Sequence, residues 1–383
     1  MRANVLNDPA LVKHAGRFAW LSIDTEKAQN QQFLEKFPVD TWPTFFFVDP
    51  STEKVALKWA SSLDVRQLEK LLDEGELAVR SSGGNTADAA LALADRAYGE
   101  RRASDAAQLY RKALQSAPPD WPRGPRTVSS LLAALRESGA DKDCAEEALK
   151  RVQSLPRDTE SASIAADGLQ CAFKAPSEGI RRHDLIVGLE GALRDSLPLA
   201  ELAADDRGGA YQLLIQAAKI EGDHAKAKQL TSEWLDFEEA QAAKARTPEQ
   251  RAAFDSYRVE AAIELGEPER AIPALEASER DLPRDYNPPL RLATIYTQMG
   301  RYDDAIKATD RANPKAYGPR KLLVYQSKGN IYLKMGERQK ARRVLEDGLK
   351  FAQTLPKSQR PAKRIAQLQA LLAQARGASA QAQ

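Results

Sequence analysis

The sequence predicts an α/β segment over residues 1–80 and an all-α stack of helical hairpins behind it. Three observations carry this. Two aromatic runs, FAWLSID at 18–24 and TFFFVD at 44–49, are short, apolar and closed by an acid, as buried strands are. After residue 85, Ala, Leu, Glu, Lys, Arg and Gln dominate, and these favour helix. Gly266, Gly300 and Gly336 recur 34 and 36 positions apart between helical patterns, the mark of a repeated unit.

In chain order, residues 18–24 read as a strand. Residues 27–37 place Phe33, Leu34 and Phe37 on one helical face. Residues 44–49 form a second strand, closed by Pro50 and Ser51, and 54–60 pair antiparallel with it across a short turn. Residues 63–79 give a helix with Leu68, Leu71 and Leu72 as its apolar stripe. The run SSGGNT at 81–86 reads as a flexible linker, because small polar residues bury too little to order themselves. Helical repeats follow over 87–356, a capping helix over 357–376 and a disordered tail over 377–383.

The order helix, strand, helix, strand, strand, helix resembles the thioredoxin fold from its first helix onward. The sharpest match is Val39-Asp40-Thr41-Trp42-Pro43-Thr44 before FFFVDP. It is similar to the family's loop in which a cis proline precedes the third strand and holds substrate backbone beside two redox cysteines. The resemblance implies that Trp42, Pro43 and Thr44 bind a substrate or partner segment. It also implies a C-x-x-C pair at the first helix, and this chain has none. Two explanations are open: a strand and cysteines lie upstream of Met1, or the segment is a redox-dead variant with a differently closed sheet. Either way this segment offers no thiolate for dithiol exchange.

The array resembles tetratricopeptide (TPR) repeats. The best unit is residues 289–314, where Leu292, Ala293 and Tyr296 pack one helix, Gly300 turns the chain and Ala305 and Ala312 admit the second. Gly329, Tyr332, Gly336 and Ala341 repeat it, and weaker units lie near Gly139 and Gly222. Residues 157–205 read as helical without a clear register. Each hairpin leaves an apolar face that only a stacked neighbour covers. In the family the first helices line a ligand groove, so the resemblance implies protein or peptide partners there. The candidate groove residues are Arg291, Thr294, Gln326 and Asn330. Asn330 falls where chaperone-tail binders keep an asparagine, but Gln326 stands where a lysine of their carboxylate clamp is expected. Binding to acidic chaperone tails is therefore not expected.

Composition narrows the function class. The 383 residues carry a formal net charge of +2, so global charge points to neither nucleic acid nor membrane as a partner. Charge is uneven, however. Residues 315–364 hold 14 Lys and Arg against 3 Asp and Glu, and residues 201–290 hold 19 acids against 11 bases. The basic stretch with Lys340, Arg342 and Arg343 lacks the interleaved aromatics of a single-strand binder and reads as a solvated helix face. Cys144 and Cys171, 27 positions apart, read as free buried thiols, neither a disulfide framework nor a zinc set. His14, His183 and His224 read as scattered surface residues. No metal, cofactor or catalytic group is expected. No signal peptide or spanning run opens the chain, which reads as cytoplasmic, with an upstream export signal left open. Two functions remain: a thioredoxin-like and TPR protein of the thiol–disulfide or folding-assistance type, redox-inactive as given, and a non-catalytic interaction scaffold.

Overall fold

A computed structural model describes residues 5–80, 86–176 and 180–377. Of the expected linker 81–86 and tail 377–383, residues 81–85 and 378–383 lie outside the described residues. In chain order the first elements are α1 (Gln31–Lys36), β1 (Phe45–Asp49), β2 (Lys54–Trp59) and α2 (Val65–Arg80). Then come α3 (Thr86–Gly99), α4 (Ala103–Ser116), α5 (Gly124–Glu137), α6 (Asp141–Val152), α7 (Thr159–Lys174), α8 (Ile180–Ser196), α9 (Ala204–Ile220) and α10 (His224–Ala243). The last are α11 (Pro248–Ala252), α12 (Asp255–Leu265), α13 (Ile272–Asp281), α14 (Asn287–Gln298), α15 (Tyr302–Ala312), α16 (Lys321–Lys334), α17 (Arg338–Thr354) and α18 (Ala362–Ala375). The chain is mostly helical, with sequential helices packed as TPR-like hairpins. It divides into two compact units: Met1–Ala15 with Thr41–Trp234, and Gly16–Asp40 with Leu235–Gln383.

In the first unit, β1 and β2 pair antiparallel as the alternation predicts. Phe45 lies opposite Trp59, and a bulge falls between Phe47 and Val48. Asp49 builds the turn, since its carboxylate accepts from the Ser51 amide at 2.9 Å and from the hydroxyls of Ser51 and Thr52 at 2.7 and 2.8 Å. Phe47 packs on Gly75 of α2, where a Cβ would lie 2.0 Å from the ring, and Val55 packs on Gly99 of α3. The Lys58 ammonium sits 4.6 Å from the centroid of Tyr98 and 3.5 Å from Glu137. The hairpin thus covers the apolar face that the first array helix would otherwise expose. Leu68, Leu71 and Leu72 are buried beneath it, as expected.

The expected strand at 18–24 is corrected. Among the described residues only β1 and β2 form a ladder, and Trp20 and Leu21 are exposed. Asp24, read as a strand-ending acid, makes a turn instead. The Glu26 amide donates to its carboxylate at 2.9 Å, and Asn30 donates to its carbonyl at 2.7 Å. An apolar run becomes a strand only where a neighbour takes up its backbone groups. His14 is likewise corrected: it is buried, with Nε2 3.7 Å from Glu69.

The hairpin turns follow the glycines. Gly139, Gly222, Gly266, Gly300 and Gly336 hold φ between +72° and +80°, the left-handed conformation that closes a helix most cheaply with no Cβ. Between α16 and α17, a Cβ on Gly329 would lie 2.5 Å from Leu345 Cδ2, and Leu345 is fully buried. Gly329→Ala is therefore expected to lower stability by about 1–2 kcal/mol, overpacking outweighing the helix-propensity gain. Gly191→Ala on α8, where the added methyl meets open space, should instead raise it by up to about 1 kcal/mol. Urea midpoints of the two variants against the parent check both signs.

Candidate functional site

Within the second unit, α12, α14 and α16 are the first helices of successive pairs. Arg291, one turn into α14, is half-buried, and burial pushes its guanidinium below the ordinary value against the opposing pull of Asp255 and Asp285. Asp255 is fully buried on α12 and accepts from Arg258, while its other carboxylate oxygen has no hydrogen-bond partner. Thr294 is exposed, with its hydroxyl turned back to the Leu290 carbonyl at 3.3 Å. Gln326 on α16 meets α18: Arg364 donates to its Oε1, and its Nε2 is 3.5 Å from Gln367. Asn330 is half-buried, one turn beyond Gln326 on the same face.

The same unit holds a cluster that the sequence did not reveal. The turn Asp24-Thr25-Glu26-Lys27 rests on the segment leading into α16. The Tyr317 hydroxyl donates to Asp24 at 2.9 Å, and Arg320 Nε donates to the Glu26 carboxylate. Gln359, buried just before α18, donates through Nε2 to the carbonyls of Thr25 at 3.1 Å and Lys27 at 2.7 Å. The Glu26 carbonyl comes so close to Gly318, at φ +49°, that a Cβ there would lie 2.2 Å from the oxygen. Burial raises the Glu26 carboxyl above its usual range, although Arg320 pulls the other way. Burial and the bond to Asp24 push the Tyr317 phenol up to about 12. The one sequence signal for this cluster was the excess of bases over 315–364.

Trp42, Pro43 and Thr44 belong to the other unit. Trp42 is exposed and joined to Pro43 by a cis peptide, and the Thr44 hydroxyl donates to the Thr41 carbonyl at 2.6 Å. The seven expected binding residues are thus divided between two units. Lys340 and Arg342 of the basic stretch pair with Glu337, just before α17, and Glu346 within it, at 3.3 and 2.9 Å.

The cysteine expectation is corrected outright. Cys144 and Cys171 are both fully buried and joined as a disulfide between α6 and α7. In an antiparallel hairpin, residues equidistant from the connecting turn face each other. The midpoint of 144 and 171 falls in the loop between α6 and α7, so the first turn of one helix meets the last turn of the other. Structural disulfides persist mainly in oxidising compartments, so this pair lends no support to the cytoplasmic expectation. Among the described residues no cluster of three or more His, Cys, Asp or Glu could hold a metal ion, and no helix is long and apolar enough to cross a membrane.

Tetratricopeptide-repeat models match residues 262–323 and 323–354, so this stretch of the array carries such repeats. No curated protein matches the chain in sequence. Among solved structures, a tetratricopeptide repeat protein from Parabacteroides merdae is 14% identical, with TM-score 0.48, covering 76% of this chain and all of its own. The TPR2AB domain of yeast Sti1, solved as a pHSP90 complex, is 15% identical, with TM-score 0.30, covering 77% of this chain and all of its own. A thermophilic TPR protein of Thermus thermophilus is 17% identical, with TM-score 0.35, covering 55% of this chain and 99% of its own.

Proposed function

We propose that this chain is a protein–protein interaction scaffold whose C-terminal repeats hold irregular polypeptide segments, with Arg291, Thr294, Gln326 and Asn330 as candidate contact residues. One observation carries the reading: the second unit already holds such a segment, residues 24–27, by side-chain bonds to its acids and by two bonds to its main chain. Main-chain bonds supply affinity without fixing sequence, while the charged partners select. The test is an array of 15-residue peptides of acidic, basic and neutral composition, probed with the full chain. A subset should bind, and Thr294→Ala with Asn330→Ala should weaken that binding at least fivefold. No binding above background to any peptide class would overturn the scaffold reading.

For residues 41–80, the thioredoxin resemblance rests on the Trp42-Pro43-Thr44 loop and the hairpin after it. No observation carries thiol–disulfide exchange from there, and the two cysteines are buried against each other. Insulin reduction by the chain is expected to stay at the buffer rate.

A further inference from the structure

We propose that Tyr317, Arg320 and Gln359 form a receptor for an acidic turn of Asp-X-Glu pattern on a partner protein, and that Asp24–Lys27 of the same chain occupies this receptor until the partner displaces it. The proposal rests on the scaffold reading and names its ligand class.

The receptor is built for a main chain as well as for acids. Gln359 is 6% exposed, and its one amide nitrogen serves two carbonyls of the bound turn. Gly318 has no side chain where the third carbonyl, that of Glu26, approaches, so any larger residue there would close the site. Around this cradle the groups alternate by chemistry. The phenol takes the first acid of the turn and the guanidinium takes the acid two residues on. Arg364 stands near enough to Arg320 for the two cations to repel. The surrounding stretch 315–364 carries a net +11, which draws acidic segments and not basic ones.

The chain's own turn is an imperfect ligand for this site. It reaches the receptor from roughly 290 to 335 residues away, so it is held by tethering as well as by contact. Burial of Glu26 raises its pKa despite Arg320, so its carboxylate is desolvated more than it is compensated. The apolar flank at Trp20 and Leu21 is exposed, so the residues before the turn add little anchoring. A free acidic turn with better flanks meets the same donors and competes on equal terms once the tethered copy lifts off. Gln326, by contrast, is bonded to Arg364 and Gln367 of α18.

The probe is a fluorescein-labelled peptide of residues 20–30 with blocked ends, followed by anisotropy against the full chain. Wild type should bind it weakly, because its own turn competes. Asp24→Asn with Glu26→Gln should bind it at least tenfold more tightly. Adding Arg320→Glu to that pair should abolish binding, and raised salt should weaken it throughout. Binding to the Asn/Gln variant no tighter than to wild type would overturn the proposal, as would binding indifferent to Arg320→Glu. If the double variant does not fold, hydrogen exchange of amides 24–30 in wild type decides. Exchange that accelerates under excess peptide supports displacement, and exchange unchanged at saturating peptide refutes it. Array peptides that bind through Asn330 yet ignore Arg320→Glu would leave the scaffold reading standing and remove this one.

Discussion

Replacing Asp95 with alanine is expected to cost about 3–5 kcal/mol, the largest loss from any single polar substitution proposed for the chain. Asp95 on α3 is 1% exposed. It accepts both guanidinium nitrogens of Arg126 from α5, at 2.7 and 2.9 Å, and the Tyr110 hydroxyl from α4 at 2.8 Å. Arg126 reaches on to Glu74 of α2 at 3.3 Å. Three consecutive helices therefore meet on one carboxylate, and α2 joins them through Arg126. Burial pulls the Arg126 guanidinium down, but Asp95 and Glu74 outweigh it and hold it above its ordinary value, so it stays charged. Removing the acid leaves that cation and a phenol buried beside Glu74 alone. The cost is desolvation without repayment, more than the loss of three bonds. Asp95→Leu with Arg126→Met and Tyr110→Phe removes the stranded cation and phenol, leaves Glu74 to Arg123 at 3.9 Å, and should recover most of the loss. Urea unfolding of the three proteins measures it. A single variant within about 1 kcal/mol of wild type would mean that water or a neighbour takes up the guanidinium.

What the sequence made legible follows from which physics is local. The turns at Gly266, Gly300 and Gly336 were readable because a positive φ favours glycine where a helix closes that way, although Arg101 holds φ +62° in the turn between α3 and α4. The β-hairpin was readable from alternation and from Asp49, whose turn bonds span three residues. The run at 18–24 was misread because pattern alone does not say whether a neighbouring strand exists. The receptor at Tyr317 and Arg320 was invisible for a related reason, since its ligand lies 293 positions away in the chain. Only its charge left a trace, as the base excess over 315–364. Arg291 and Asn330 were placed on the expected helices by repeat offset. Gln326 was also on the expected helix, but repeat offset could not show that α18 would lie against it.

Reduction of the Cys144–Cys171 disulfide is expected to cost about 3–4 kcal/mol by chain entropy, given the 27-residue separation that it closes. The bond staples α6 to α7 at the open end of their hairpin, and nearer the turn Gly168 lies close against Ala148. Because both sulfurs are fully buried, a reductant reaches them only after the hairpin opens. Dithiothreitol should therefore act slowly on native protein and at once in urea. Cys144→Ser with Cys171→Ser should lower the urea midpoint to that of the reduced chain. Protein isolated without reductant and denatured in urea should give no free thiol with a chromogenic disulfide reagent, and two after reduction. Two free thiols before reduction would show that the bond does not form. A bond with these properties is a structural staple. An exchanging disulfide must offer one sulfur to an attacking thiolate in the native state, and neither sulfur here has surface to offer. Thiol chemistry on a substrate is thus denied to Cys144 and Cys171 in the native state, in keeping with the binding function proposed for the repeats.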